Sequence, residues 1–475
     1  MVFSSLEFIF RFLPSFLILY YITPIKYRNI TLFLGSLCFY AFGEPIYILL
    51  ILFSLLINYF AGKRISNLPN QPHQRQLLFI LTLLFNFGML FFFKYTNFFI
   101  ENMNFILSQL DKVSSLKLGR IPFISVSLPL GISFYTFQIV SYIVDVYKGK
   151  QKSEKSFINL GVYLCMFPQL IAGPIVIYSE IAESIQSRTY SLDSFENGLK
   201  TFVIGLGSKV LIANRIGTLW NEIQTIGFES ISTPLAWMGA FAYSLQIYFD
   251  FNGYSLMAIG LGEMIGFKIP INFNKPYMAH SISDFWRRWH ITLGQFFRNY
   301  VYIPLGGNRK GTLRTIFNLF LVWSLTGFWH GASWNFVLWG ITFFILLTVE
   351  KLFLQKLLNK VKLLGHLYVL FLIPLTWIIF AITNLKDLLV YFDRLFPFIP
   401  RIPNGLILKT DYMMYLKSYG PLFLITIILC TPIPSKLYEN HKRNVMSILV
   451  IFIIFWLSIY QLANAVNNPF LYFRF

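Results

Sequence analysis

The segment Leu77–Phe93 reads LLFILTLLFNFGMLFFF and carries no charged side chain. As an α-helix it would extend about 25 Å, close to the ~30 Å thickness of the hydrocarbon core of a bilayer. Comparable apolar segments recur along the whole chain, and examples are Phe3–Ile22, Ile46–Phe60, Phe157–Ile177, Trp334–Val349, Leu367–Ile382 and Ile448–Leu462. The pattern predicts an all-α polytopic membrane protein with about 10–13 transmembrane or re-entrant helices.

Composition supports a membrane protein over its whole length. Of the 475 residues, 56% are hydrophobic and only 12% are charged, whereas a soluble domain carries about 25% charged residues. No signal peptide with a cleavage site is expected before the first apolar segment. We expect a single membrane domain over residues 1–475, because no linker or convincing internal repeat interrupts the pattern.

The net charge of +19 does not indicate nucleic-acid binding, since the basic residues lie in short loops between apolar segments. Lys26 and Arg28 follow the first apolar segment of the chain, and Glu44 follows the second, which ends before Ile46. The loop after the third segment is basic again, with Lys63, Arg64 and Arg75. By the positive-inside rule, this alternation predicts an extracytoplasmic N-terminus. Other loops expected in the cytosol contain Lys148, Lys150, Lys152, Lys155, Arg309, Lys310, Arg314, Lys442 and Arg443.

The three cysteines, Cys38, Cys165 and Cys430, lie in apolar surroundings without paired spacing. Neither a disulfide framework nor a metal site follows from them. No set of metal ligands is visible elsewhere in the sequence, and we predict no metal and no tightly bound cofactor.

Two regions depart from the pattern of simple spanning helices. From Ile121 to Gly149, an apolar run is interrupted by Pro122, Pro129 and Gly131. The second region, Phe249–Trp339, is the predicted catalytic core. Broken helices at membrane depth are tolerated where the backbone is buried in protein or lines a wet cavity.

The second region opens with Phe249–Tyr254, which reads FDFNGY and places Asp250 and Asn252 directly after an apolar segment. A carboxylate there is costly, so Asp250 should face a cavity or pair with a base. Further along, Ser283 followed by Asp284 resembles a helix start.

On that predicted helix, Asp284 precedes Arg287 and Arg288 by three and four residues, within reach of either. If the helix continues, His290, Gly294 and Arg298 fall on one face at successive turns. An imidazole and a guanidinium facing the same gap would suit an acyl donor that carries phosphate groups. His330 lies deep in apolar sequence, where an ionisable residue indicates a functional site.

Several of these motifs resemble the membrane-bound O-acyltransferase (MBOAT) family, in the branch of the alginate O-acetyltransferase membrane subunit. The three most specific are Asp284–His290 (DFWRRWH), Tyr302–Gly311 (YIPLGGNRKG) and Thr326–Trp334 (TGFWHGASW). Weaker matches are Phe42–Pro45 (FGEP), Pro129–Gln138 (PLGISFYTFQ) and Phe167–Pro174 (FPQLIAGP). Together the matches follow the family order over nearly the whole chain.

The resemblance implies a ring of helices around a funnel that leads to a buried histidine. It also implies that His330 and His290 are catalytic, with His330 as the general base for an attacking hydroxyl. The donor would be acetyl-CoA or another acyl thioester. Supporting or donor-binding candidates are Asp250, Asn252, Asp284, Arg287, Arg288, Arg298, Arg309 and Lys310.

The C-terminal tail, residues 468–475 (NPFLYFRF), looks like the aromatic ending of the same branch. By analogy with the D-alanylation system, Tyr472 would receive the acyl group and pass it to an extracytoplasmic transferase partner. The alternative for Tyr472 is an interfacial anchor beside Arg474.

Several of the other site residues also have a simpler interpretation. His330 could be a buried imidazole bonded to a neighbouring helix, and His290 could belong to an aromatic belt with Trp286 and Trp289. The charges of Asp284, Arg287 and Arg288 could form structural pairs. Arg309 and Lys310 could be ordinary inside-facing charges.

The favoured function is transfer of an acyl group, most simply acetyl, from a cytosolic thioester across the bacterial cell membrane for O-acylation of an envelope or extracellular polysaccharide. A rival within the family is D-alanyl transfer from a carrier protein to teichoic acid. Rivals from other classes are a transporter and a non-catalytic scaffold of an envelope polysaccharide system. The sequence does not identify the polysaccharide.

Overall fold

The computed structural model describes residues 2–113, 119–398, 409–465 and 471. Within these residues the regular structure is helical and contains no strand. The predicted all-α class is therefore confirmed.

In chain order the α-helices are α1 (Leu13–Ile22), α2 (Arg28–Ala41), α3 (Ile48–Ser66), α4 (Pro72–Val113), α5 (Ile132–Tyr147), α6 (Phe157–Cys165), α7 (Phe167–Leu170), α8 (Tyr178–Gln186), α9 (Leu192–Gly207), α10 (Asn214–Ile226), α11 (Thr233–Met264), α12 (Ile282–Arg288), α13 (Ile291–Phe297), α14 (Thr312–His330), α15 (Trp334–Val349), α16 (Gln355–Lys360), α17 (Lys362–Ala381), α18 (Leu385–Leu395), α19 (Asp411–Cys430), α20 (Ile433–His441) and α21 (Val445–Asn464). Four π-helical segments lie at Phe8–Phe12, Ser208–Ala213, Arg298–Tyr302 and Glu350–Leu354.

Among the described residues, 7 helices are long and apolar enough to cross a bilayer. They are Ile48–Ser66, Pro72–Lys112, Leu192–Ile226, Trp334–Lys360, Lys362–Ala381, Asp411–Cys430 and Val445–Asn464, and Phe8–Ile22 is a shorter apolar helix. The chain is a multi-pass membrane protein.

The chain folds into two compact units. The first comprises Phe16–Ser187 and Trp329–Ser333, and the second comprises Val2–Ser15, Arg188–Phe328 and Trp334–Phe475. A single domain over residues 1–475, with a catalytic core near 249–339, stays a prediction.

In the first unit, helices α3 and α4 are joined by a buried pair of amides. The Asn58 amide donates to Asn86 Oδ1 at 2.9 Å, and the Asn86 amide donates back to Asn58 Oδ1 at 2.8 Å. Both side chains are buried. Lipid offers no hydrogen bonds to these side chains. Each amide therefore provides a hydrogen-bond partner for the other within the membrane-length helices.

The segment Phe157–Ile177, which was expected to be one spanning helix, is broken. Helix α6 ends at Cys165, α7 lasts only from Phe167 to Leu170, and the chain is irregular up to Ile177. Pro168 and Pro174 lie in this stretch, and proline interrupts a helix. The irregular backbone is tolerated because residues 160–176 are buried within the first unit.

The break predicted around Pro129 and Gly131 is confirmed. Residues 119–129 contain no helix, and α5 begins at Ile132 after Gly131 adopts a φ of 77°. A side chain on Gly131 would collide with the carbonyl oxygen of Leu170. Glycine is therefore required there both for the left-handed backbone and for the close approach of the α7 segment.

In the second unit, α9 and α11 pack backbone to backbone at four glycines. Gly198 faces Gly260, and Gly205 faces Gly253, so the two helices run antiparallel with two contacts one heptad apart. A Cβ atom on Gly205 would lie 2.6 Å from the carbonyl oxygen of Gly253. Such close approach is the usual role of small residues in membrane helix pairs.

Replacing Gly205 by alanine should destabilise the protein by about 1–3 kcal/mol, because the new methyl group meets backbone that cannot rotate away. The measurement is the Tm of the purified protein in detergent. Gly88→Ala on α4 is the matched control, since a Cβ there meets nothing within 4 Å. A Tm for Gly205→Ala at or above that of the control would contradict the packing argument.

Candidate active site

His330 is the last residue of α14, and the residue is 5% exposed. The preceding Trp329 ring stacks on Phe137 with centroids 5.5 Å apart and meets Phe134 edge-on at 5.7 Å. These contacts lie within the first unit. They fix the C-terminal end of α14 and hence the backbone that carries the histidine.

Lys94 of α4 reaches the same helix end. Its ammonium nitrogen lies 2.5 Å from the carbonyl oxygen of Trp329, 3.1 Å from that of His330 and 3.4 Å from Ser133 Oγ. The last carbonyls of a helix have no partner within the helix. Sequence reasoning missed Lys94, although a lone charge directly after an apolar run is the signal that could have identified it.

His290 lies at a break between two helices, not within one. Helix α12 ends at Arg288, and His290 has a φ of 44° and precedes the first residue of α13. The prediction of one continuous face with Gly294 and Arg298 is therefore wrong. The predicted helix start was also misplaced, because the side chain that caps α12 is Ser281, which accepts from the backbone N–H of Asp284 at 3.0 Å.

His290 is 1% exposed, and its imidazole contacts Asn272. Asn272 Oδ1 accepts from the hydroxyl of Thr292 at 3.0 Å and lies 3.1 Å from His290 Nδ1, while the Asn272 amide donates to Ser255 Oγ at 3.3 Å. Since an amide oxygen only accepts, Nδ1 must carry the proton. Burial lowers the pKa of His290 to about 3, so the ring is neutral and its basic lone pair is on Nε2.

Helix α12 is anchored by Glu350, a buried carboxylate that sequence reasoning did not select. Its oxygens accept from the backbone N–H groups of Ile282 at 2.6 Å and Ser283 at 3.0 Å. A carboxylate at this end also complements the helix dipole. Asp284 pairs with Arg288, with Nε 3.1 Å from Oδ2.

A cavity of about 540 Å³ opens in the second unit beside α12. Its charged lining residues are all cationic: Arg287, Arg298 and Lys351. The polar and apolar residues around them are Ser283, Trp286, Leu293, Gly294, Phe297, Tyr302, Asn308, Leu319, Val322, Trp323, Thr326, Leu347 and Gln355. Cations beside indole rings suit a ligand with both phosphate groups and an apolar part.

The other predicted donor-binding residues lie elsewhere. Arg309 and Lys310 are exposed on a turn and are absent from the described lining of the cavity. Asn252 is half-buried on α11 and is also absent from that lining. His290 is also absent from that described lining, so Arg287 and Arg298 are the members of the predicted set that line the cavity, while Asp284 and Arg288 pair with each other.

Asp250 pairs with a base, as predicted. Its Oδ1 lies 2.8 Å from Lys209 Nζ, and both side chains are almost completely buried. The second oxygen, Oδ2, accepts from the backbone N–H of Leu471 at 2.9 Å. Lys209 was not identified from sequence. Tyr472, the predicted acyl relay, lies outside the described residues.

Among the described residues, no cluster of three or more His, Cys, Asp or Glu side chains could hold a metal ion. Cys38, Cys165 and Cys430 are free thiols.

The model of the MBOAT, membrane-bound O-acyltransferase family, matches residues 150–391, which include both histidines. The protein named "Probable alginate O-acetylase AlgI" in Pseudomonas putida is 36% identical over 100% of both chains. This chain belongs to the MBOAT family. The resemblance noted in the sequence is confirmed, and so is the assignment as an acyltransferase.

The names of two further relatives refer to other molecules, peptidoglycan and teichoic acid. The peptidoglycan O-acetyltransferase of Helicobacter pylori is 34% identical over 100% of this chain and 98% of its own. The teichoic acid D-alanyltransferase of Bacillus subtilis is 31% identical over 49% of this chain and 61% of its own. Of these three relatives, the two that match over the full length of this chain are both named for O-acetylation.

Replacing Asn272 by leucine in this acyltransferase should lower the turnover number about 10-fold or more, because it removes the acceptor that sets the His290 tautomer. The measurement is the rate of acyl transfer by purified protein, with Asn274→Leu as a neighbouring control. Full activity in Asn272→Leu would show that the tautomer of His290 does not matter for turnover.

Proposed function

We propose that this enzyme transfers an acetyl group from cytosolic acetyl-CoA across the bacterial cell membrane for O-acetylation of an envelope polysaccharide. The observation that carries the proposal is similarity over the whole chain to both an alginate O-acetylase and a peptidoglycan O-acetyltransferase. The names of both relatives specify the acetyl group, but they specify different glycans. The identity of the transferred group is therefore better supported than the identity of the polysaccharide.

In the proposed reaction, an accepting hydroxyl attacks the carbonyl carbon of the thioester. His330 takes the hydroxyl proton as the oxygen–carbon bond forms, and the carbon–sulfur bond breaks. The proton then leaves with the CoA thiolate, so the histidine is regenerated. A positioned general base of this kind contributes about 10²–10⁴-fold to a rate.

The cavity beside α12 is the proposed site for the phosphate-bearing part of the donor. Arg287, Arg298 and Lys351 supply positive charge, and Trp286 and Trp323 supply apolar surface. A donor bound there would have its phosphates at these cations.

His290 is proposed to assist His330 or to hold the thioester. Its Nε2 lone pair can accept a proton or a hydrogen bond, and the Asn272 contact keeps the ring in one orientation. Asp250, Asn252, Asp284 and Arg288 are proposed as supporting residues. Arg309 and Lys310 are better explained as exposed cytosolic charges.

The acetyl group is proposed to pass to Tyr472 and then to an extracytoplasmic transferase partner. The described residue next to it, Leu471, is buried, and its backbone N–H donates to Asp250; this contact supports the proposal. D-alanyl transfer is the second candidate, but the relative named for it matches only 49% of this chain.

The deciding experiment is transfer from radiolabelled acetyl-CoA to the protein in detergent. His330→Ala should reduce labelling about 10²–10⁴-fold, and His290→Ala should also reduce it. His73→Ala is the control, because His73 is exposed at the start of α4. Labelling that is equal in His330→Ala and wild type would remove His330 from the mechanism.

A companion variant, Tyr472→Phe, should bind donor normally and carry no label, because only the hydroxyl that accepts the acetyl group is lost. Mass spectrometry of the C-terminal peptide from wild type should locate the acetyl group on Tyr472. Label on another residue, or undiminished label in Tyr472→Phe, would refute the relay while leaving donor use intact.

The donor cavity gives an independent test. Arg298→Gln and Arg287→Gln should each raise KM for acetyl-CoA about 10-fold with a smaller change in kcat, because each removes one charge-assisted bond to phosphate. Arg309→Gln is the matched control, as this arginine lies outside the described cavity lining. An unchanged KM in both cavity variants would place the donor phosphates elsewhere.

A further inference from the structure

Lys94 is unusual because it lies within a 41-residue apolar span, Pro72–Lys112, where a charged side chain is costly. It belongs to the first unit, as do Ser133, Trp329 and His330. It lies outside the residues 150–391 that match the family model. The proposed function above assigns it no role.

The surroundings of Lys94 match an ammonium group in number and in charge. An ammonium has three N–H donors and no acceptor, and the nitrogen has three oxygen neighbours: the carbonyls of Trp329 and His330 and the hydroxyl of Ser133. Two of these are the last carbonyls of α14, at the negative end of the helix dipole. The cation is therefore stabilised by the helix end, and the helix end is satisfied by the cation.

The same contacts restrict the position of His330. Lys94 holds both peptide carbonyls at the helix end, while Phe134 and Phe137 of α5 hold the Trp329 ring. The chain leaves the helix immediately afterwards, at Gly331. Without the lysine, the last turn would lose these two hydrogen bonds, and a helix end that loses such bonds tends to unwind.

We propose that Lys94 is a positioning residue for catalysis: its ammonium group caps the C-terminus of α14 and so holds the His330 imidazole in the geometry for proton transfer. The inference rests on the proposed role of His330. Lys94 acts through the backbone and does not contact the donor. Its loss therefore affects the chemical step more than binding.

The test compares wild type, Lys94→Met and Lys94→Arg in acetyl transfer, with Lys112→Met as control. Lys112 lies on the same helix at its exposed end. Lys94→Met should lower kcat about 10–100-fold, the scale of a misplacement of about 1 Å, while KM for acetyl-CoA changes less than about threefold. Lys94→Arg keeps a cation and should retain more of kcat than Lys94→Met.

A second readout does not depend on turnover. Diethyl pyrocarbonate should modify His330 several-fold faster in Lys94→Met than in wild type, as read by mass spectrometry of the His330 peptide. If the wild-type protein showed no acetyl transfer, that result would count against the proposed function. Faster modification of His330 in Lys94→Met than in wild type would still support the capping role of Lys94. Wild-type kcat and an unchanged modification rate in Lys94→Met, or equal losses in the Arg and Met variants, would overturn the inference.

Discussion

The hydrocarbon core of a bilayer offers no hydrogen bonds, and this constraint governs every polar group in the spanning helices. Three buried contacts show how the chain meets it. Asn58 and Asn86 bond to each other, and Lys209 pairs with Asp250. Lys94 takes the carbonyls that α14 leaves unsatisfied at its end. In each case a buried polar group is retained because a second polar group from another helical segment lies within bonding distance.

The features that sequence predicted were those set by local composition. Apolar segments such as Leu77–Phe93 lie within helices long enough to span, and the break before α5 follows from Pro129 and Gly131. Asp250 was expected to find a base because an unpaired carboxylate would be too costly there. Such rules need no knowledge of the fold, since the cost of burying charge or interrupting a helix is a property of the residue itself.

The features that sequence missed depend on partners far apart in the chain. Nothing near Glu350 indicates that its carboxylate caps α12, some 70 residues earlier. Asn272 is likewise recognisable only once it lies beside His290. The continuous helix expected through His290 failed for a related reason. Local spacing favoured it, whereas a φ of 44° at His290 needs tertiary contacts to stabilise it.

The glycine contacts between α9 and α11 link the fold to the proposed acyl relay. Close approach at Gly205 and Gly253 brings the start of the next helical segment beside α11, and Lys209 on that segment reaches Asp250. With its charge compensated, the carboxylate accepts the backbone N–H of Leu471. A larger residue at either glycine would separate the helices and weaken the ion pair. The hydrogen bond between Leu471 and Asp250 therefore depends on how closely two helix backbones can pack.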